Sequence, residues 1–210
     1  EEQIDVLKSF NEGFARKAAR GLDLMAFHGV NPRTGTASSV IGDNHFDKAV
    51  TQIVTEGDTA DAQVEAAIAL IQGSENDVTG MAMAPAFRSS LAALTLTSGQ
   101  KMYPELAWGS APGAINGLEV QVNSTVSANN STDLAIVGDF QNAFRWGYAK
   151  EIPMEIIQYG NPDNDTTLGD LKGHNQIYIR CEAYLGWGIL DPTAFALIQT
   201  AAEEDEEEST

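Results

Sequence analysis

Ile177-Tyr178-Ile179-Arg180-Cys181-Glu182-Ala183-Tyr184-Leu185-Gly186-Trp187-Gly188-Ile189 carries an apolar or small residue at every odd position. A period of two held over seven such positions is the pattern of a β-strand with one face turned from water. Upstream, Trp146, Tyr148, Ile152, Met154 and Ile156 occupy even positions of a second such run. The stretch from Gly160 to Gly173 between them is polar and rich in turn formers. Together these segments predict a long β-hairpin with a loose tip. Pro153 lacks an N–H and is expected at an edge or bulge. Cys181 lies on the inward phase, where a small buried hydrophobe is the expected role rather than a nucleophile.

After the hairpin comes a short strand, Ala194 to Ile198, and then Glu203-Glu204-Asp205-Glu206-Glu207-Glu208. Six consecutive acids repel one another and read as a solvated tail. Before the hairpin, helices and strands alternate. Ile4, Leu7, Phe10, Phe14, Ala18, Leu22 and Met25 recur at helical spacing, predicting one helix from Glu2 to about His28. At ~1.5 Å per residue it would be roughly 40 Å long. Its apolar stripe is expected to be core by default, or else an interface. The Gly- and Pro-containing stretch from His28 to Gly42 reads as a loop, and Val50 to Thr55 as a short strand. Asp61 is expected to cap an alanine-rich helix with Val64, Ile68 and Ile71 as its stripe, ending at Gly73. Val78 to Ala84 reads as a buried strand, and Pro85 as the start of a helix through Leu94. Gly117 to Val122 and Asp133 to Val137 are two further strands. The fold class is α+β.

Composition narrows the function. In 210 residues, 12 basic side chains face 30 acidic ones, a formal net charge of −18. Nucleic-acid-binding modules neutralise phosphates with Lys and Arg, so this class is disfavoured, as is an anionic membrane surface. The tail holds only six of the acids, so the body is acidic in its own right. No apolar run approaches the ~20 residues of a membrane-spanning helix. One cysteine excludes an internal disulfide and a CxxC metal site. The hydrophobic share of 43% is ample for a core.

The chemistry of an enzyme is hard to find. GxSxG, Walker, HExxH and GxGxxG patterns are absent from the sequence. His28, His45 and His174 are far apart in sequence; a metal site could gather them in space, but three separate surface histidines is the preferred reading. Asp163 to Asp170 resembles a calcium loop superficially. Its sixth position is Leu168 and its twelfth His174, where an EF-hand needs Gly and Glu, so that reading is rejected. Asp139, between Gly138 and Phe140, reads as the cap of a turn from Phe140 to Arg145 rather than as a catalytic carboxylate. No catalytic, cofactor-binding or metal-binding residue is assigned.

The order of elements resembles the major capsid proteins of tailed bacteriophages, the family with the HK97 fold. The resemblance runs through Asn31-Pro32-Arg33-Thr34-Gly35 to Val40-Ile41-Gly42, the helix Gln63 to Gln72, Met81-Ala82-Met83-Ala84-Pro85, and Phe87-Arg88 to Leu94. It continues in Ser98-Gly99-Gln100-Lys101-Met102-Tyr103, Ile115-Asn116-Gly117-Leu118-Glu119-Val120, Val137-Gly138-Asp139-Phe140, the hairpin, and Asp191-Pro192-Thr193-Ala194-Phe195-Ala196. Gly117-Leu118-Glu119-Val120 departs from the family's Gly-x-Pro-Val. The N-terminal arm and extended loop that precede the long helix in the family have no counterpart, so the chain reads as a truncated or processed core.

The resemblance implies a spine helix and long hairpin in a peripheral domain (residues 1–45 and 139–192). It implies a mixed α/β axial domain (46–138 and 193–202), with the acidic tail (203–210), expected to be disordered from its charge, outside both. It also implies a structural, non-enzymatic subunit that self-associates into hexamers and pentamers of an icosahedral phage or prophage shell around double-stranded DNA. Scaffold, protease or portal proteins would be further partners, with no sequence-specific nucleic-acid contact, no membrane and no cofactor. The protein would be made in the bacterial host cytoplasm and end in the virion. An encapsulin-type nanocompartment shell is the alternative. A small-molecule enzyme, with a defined pocket and a perturbed carboxylate, is the remote one.

Overall fold

The computed structural model describes residues 2–57, 59–106, 108, 113–129, 131–150, 155–162, 164, 167, 169–180, 182 and 184–201, with backbone alone for 2–7. The chain forms two compact units, one of residues 1–145 with the segment from Ile189 on, the other Trp146–Gly188. These units are drawn by packing within the chain.

In the first unit, helix α1 spans Glu2–His28, the extent its apolar spacing predicts. It stops at Gly29, which takes φ of 63° while its N–H donates to the Met25 carbonyl at 3.0 Å. That is a left-handed C-terminal cap, open to glycine without the usual steric penalty. A Cβ there would lie 2.6 Å from Nδ1 of His45. A four-residue helix, α2 (Phe46–Ala49), follows, then strand β1 (Ile53–Thr55) and helix α3 (Ala60–Gly73). Asp61 was expected to cap α3; the N-cap is Thr59 instead, with Asp61 already inside the first turn. There its carboxylate still complements the helix dipole.

Strand β2 (Gly80–Met83) leads into helix α4 (Pro85–Ala93), with Pro85 in the first helical turn. Strands β3 (Gly113–Ile115), β4 (Leu118–Val122) and β5 (Asp133–Gly138) follow. In the second unit and at its borders lie β6 (Phe144–Lys150), β7 (Glu155–Ile157), β8 (Tyr178–Arg180) and β9 (Tyr184–Ile189). The last strand, β10 (Phe195–Gln199), returns to the first unit.

The main sheet has six strands in the order β1-β10-β5-β2-β4-β3. Strands β1 and β10 run parallel, as do β2 and β4; the other neighbours are antiparallel. Side chains alternate across it. Met81, Met83, Ala135, Val137, Ala196 and Ile198 join Ala67, Ile71, Phe87 and Leu91 of α3 and α4 in one core. Ile136, Phe195 and Leu197, of opposite phase, are equally inaccessible. Phe195 meets a second core of aromatic rings. Phe46 sits at its centre, with ring centroids at 5.8 Å from Phe27, 6.1 Å from Phe140, 5.5 Å from Phe144 and 4.9 Å from Phe195.

Among the described residues the hairpin is present as two ladders, β6 with β9, and β7 with β8, where Ile156 pairs with Ile179. Its tip is closed by Asp170, which accepts hydrogen bonds from the N–H groups of Gly160 at 2.9 Å and Gly173 at 3.2 Å. The expectations for Pro153, Cys181, the Asp163–Asp170 loop as a whole and the acidic tail fall wholly or partly outside the described residues.

Candidate functional site

Two features of the first unit carry chemistry, and the surface carries a third. The C-terminal half of α1 is tied to the loop after β4 by polar side chains. Asp23 Oδ2 accepts from Asn123 Nδ2 at 2.6 Å and from Thr125 Oγ1 at 3.2 Å. Burial pushes the Asp23 carboxyl above its ordinary range, against the pull of these donors. One turn on, His28 is buried, which corrects the surface reading of all three histidines. Its position at the end of a helix with a polar flank gave no sign of the elements that cover it. Its Nε2 lies 2.8 Å from the Thr125 carbonyl and its Nδ1 2.8 Å from Asp47 Oδ2. Asp133 Oδ2 is 4.0 Å from the same Nδ1.

Asp133 is 1% exposed. Its Oδ1 accepts from Gln199 Nε2 at 2.8 Å, whereas Oδ2 meets no hydrogen-bond donor. Burial first, and then the facing carboxylate of Asp47, push it up to about 6. Burial works against a charged His28, but Asp47, the Thr125 carbonyl and Asp133 outweigh it and the net direction is upward. The described residues therefore gather one histidine with two carboxylates; His45 instead approaches the Gly42 carbonyl at 3.0 Å, and His174 lies in the other unit.

Asp139 does what its place in the sequence predicts. Its Oδ1 accepts from the N–H groups of Gln141 at 3.2 Å and Asn142 at 3.1 Å, and from Thr79 Oγ1 at 3.0 Å. Desolvation opposes its ionisation, yet these donors hold the carboxyl below the ordinary range. It caps a turn.

A cavity of about 220 Å³ lies in the first unit, lined among others by Asp61, Glu65, Met81, Leu91, Tyr103 and Ile115. Burial, then Asp61, Glu65 and Glu105, push the Tyr103 hydroxyl up. The strongly shifted Asp133 is not among the residues that line it.

The surface is the third feature. In the second unit Trp146 is 53% and Tyr148 59% exposed, their rings crossed at 77° with centroids 5.6 Å apart. Ile156, Tyr159, Ile177 and Tyr184 are exposed as well. The odd phase from Ile177 to Ile189 was expected to be inward. Of its described members, Ile177 is exposed and Ile179, Leu185, Trp187 and Ile189 are only half-buried. A two-stranded ribbon by itself buries its faces only in part. The stripe on α1 departs from expectation in the same way. Phe10 is exposed, and Phe14, Ala18, Leu22 and Met25 are half-buried; among the described side chains of α1, full burial comes at Gly21 and from Ala26 to His28. Among the described residues no helix is long and apolar enough to cross a membrane.

Comparison with known proteins adds the family. The model of the phage capsid family matches residues 2–200. A solved structure of Mycobacterium phage Ogopogo is 33% identical, with TM-score 0.82, covering 95% of this chain and 69% of that one. One of Gordonia phage Cozz is 24% identical, with TM-score 0.78, covering 95% and 64% respectively. The capsid of an empty GTA particle shares the fold at 14% identity and TM-score 0.63, covering 94% of this chain and 67% of that one. The chain thus spans about two thirds of the length of the structures it resembles. No curated protein matches it. With its HK97-like order of spine helix, hairpin and six-stranded sheet, the chain belongs to the phage capsid family and is a structural subunit of a capsid.

Proposed function

We propose that the protein builds the icosahedral head of a phage or prophage, self-associating into hexamers and pentamers that enclose double-stranded DNA. The 33% identity to the Ogopogo structure, sustained over 95% of this chain, is the observation that carries the reading. The open apolar faces of α1 and of the hairpin support it, because closed symmetric shells are made by repeating such contacts. In this reading residues 1–45 and 139–192 form the peripheral domain, and 46–138 with 193–202 the axial domain around the five- or sixfold centre. The acidity has a role there. A shell filled with DNA must not grip it, and a net charge of −18 repels phosphate.

The protein acts as a structural component rather than an enzyme, with no cofactor. It is made in the host cytoplasm and resides in the virion, with scaffold, protease or portal proteins as further partners. The encapsulin alternative is not favoured, since the solved structures it resembles are those of phages and GTA capsids. The test is a Trp146→Ser, Tyr148→Ser double variant, assayed for particles by electron microscopy and for folding by far-UV circular dichroism. Particles should be lost while the spectrum and melting temperature are kept. An undiminished yield of particles would remove the hairpin face from the subunit contacts.

A further inference from the structure

We propose that His28, Asp47 and Asp133 form a site for one divalent transition-metal ion, of the Zn²⁺ or Mn²⁺ type, that clamps the end of α1 to α2 and to the start of β5. The tautomer of His28 is the first argument. The Thr125 carbonyl only accepts, so Nε2, 2.8 Å away, carries the proton. Without an ion Nδ1 hydrogen-bonds to Asp47 Oδ2; once it gives up that proton, its lone pair faces the space between the two carboxylates. A backbone carbonyl holding the far ring nitrogen is the usual support of a histidine that ligates through the near one.

Spacing is the second argument. Nδ1 is 2.8 Å from Asp47 Oδ2 and 4.0 Å from Asp133 Oδ2, and all three ligand atoms lie within 4.8 Å of one another. Around an octahedral ion with bonds of ~2.1 Å, adjacent donors sit ~3 Å apart and opposite donors ~4.2 Å apart. The set needs only small side-chain shifts to close on an ion. One imidazole nitrogen with two carboxylate oxygens suits borderline divalent ions.

The third argument is independent of the cluster itself. The Asp133 side chain is wholly inaccessible, yet its Oδ2 has no hydrogen-bond donor and points toward the other two ligands. A buried carboxylate oxygen left in that state is costly, and a second carboxylate opposite makes it more so. Among the described residues, the ion pairs that reach Asp47 and Asp133 come from His28. A divalent ion supplies the charge both carboxylates lack and the partner Oδ2 lacks. Asp47, with its side chain 31% exposed, leaves the site open to solvent on one side, where an ion enters and water completes its shell.

Calorimetric titration of the chelator-stripped protein with ZnCl₂, and separately with MnCl₂, tests the proposal. One ion per chain should bind saturably and raise the melting temperature. Asp47→Asn and Asp133→Asn should each weaken that binding at least ~10-fold, with far-UV spectra unchanged. Should Asp133→Asn fail to fold, Asp47→Asn, at the exposed rim, decides alone. His174→Ala, in the other unit, should leave the affinity unaltered. Absence of a saturable site would overturn the proposal. So would a site whose affinity is the same in the Asp47→Asn protein, because the ion would then lie elsewhere on the acidic surface.

Discussion

Replacing Phe46 by alanine removes the ring on which the second core of the first unit converges. Phe46 is completely buried, and four other rings have centroids within 6.1 Å of its own. Two of them, Phe27 and Phe195, meet it edge to face at 77° and 90°, the orientation that adds to simple burial. Emptying a buried phenylalanine site costs roughly 3–5 kcal/mol, and these edge contacts place the expected loss at the upper end, about 4–5 kcal/mol. The site has little means to collapse, since Phe195 is fixed in β10 between β1 and β5. For a domain of this size the loss corresponds to a fall of roughly 10–15 °C in melting temperature. Urea unfolding followed by circular dichroism measures it, with Val40→Ala as control. Val40 is 94% exposed, and its replacement should stay within about 0.5 kcal/mol. A loss below about 1.5 kcal/mol for Phe46→Ala would refute the reading of this aromatic cluster as a packed core.

Three further outcomes follow from the same structure. Gly138→Ala should destabilise by at least about 2 kcal/mol, because its Cβ would lie 2.2 Å from Phe195 Cδ1 and 2.5 Å from the Ala194 carbonyl oxygen; Gly147→Ala, with nothing within 4 Å, is the control, and equal melting temperatures would contradict the close approach. Asp139 is held below its ordinary pKa, so its stabilising contribution is complete above the unfolded value of ~3.9 and is lost as pH falls through the lower folded value. Wild type should therefore exceed Asp139→Asn in melting temperature by a constant margin above about pH 5 that narrows below about pH 4; a margin that ignores pH would show that the charge is not what caps the turn. Trp187→Ala should cost more than Tyr184→Ala, since Trp187 is half-buried and Tyr184 exposed, and equal losses by urea titration would mean the two faces of β9 are covered alike.

What could be read from the amino acids divides along the range of the interactions involved. Helix α1 was legible to the residue, because its spacing is local and Gly29 ends it through its own backbone. Pro85 announced α4 for the same reason, and β10 showed as a short apolar run. The hairpin was legible as a pairing, because the period of two in each arm is local to that arm. Helix α2, four residues long, is too short to show a period. The sheet order was also hidden: β4 and β5 are consecutive, yet β2 lies between them. Resemblance to the capsid family carried the fold where periodicity could not. The cluster at His28 was illegible for a related reason. Its partners come from α2, from the loop at Thr125 and from β5, and only the folded chain brings them together.

The central claim is that this chain is part of the building block of a closed shell, and electron microscopy of material from a host that makes the protein at its natural length tests it most directly. The account predicts closed particles of uniform diameter whose surface resolves into five- and sixfold clusters, with the chain traced through α1, the hairpin and the six-stranded sheet in each subunit. A protein that stays monomeric at every concentration and salt condition, or that forms only irregular aggregates, would contradict it.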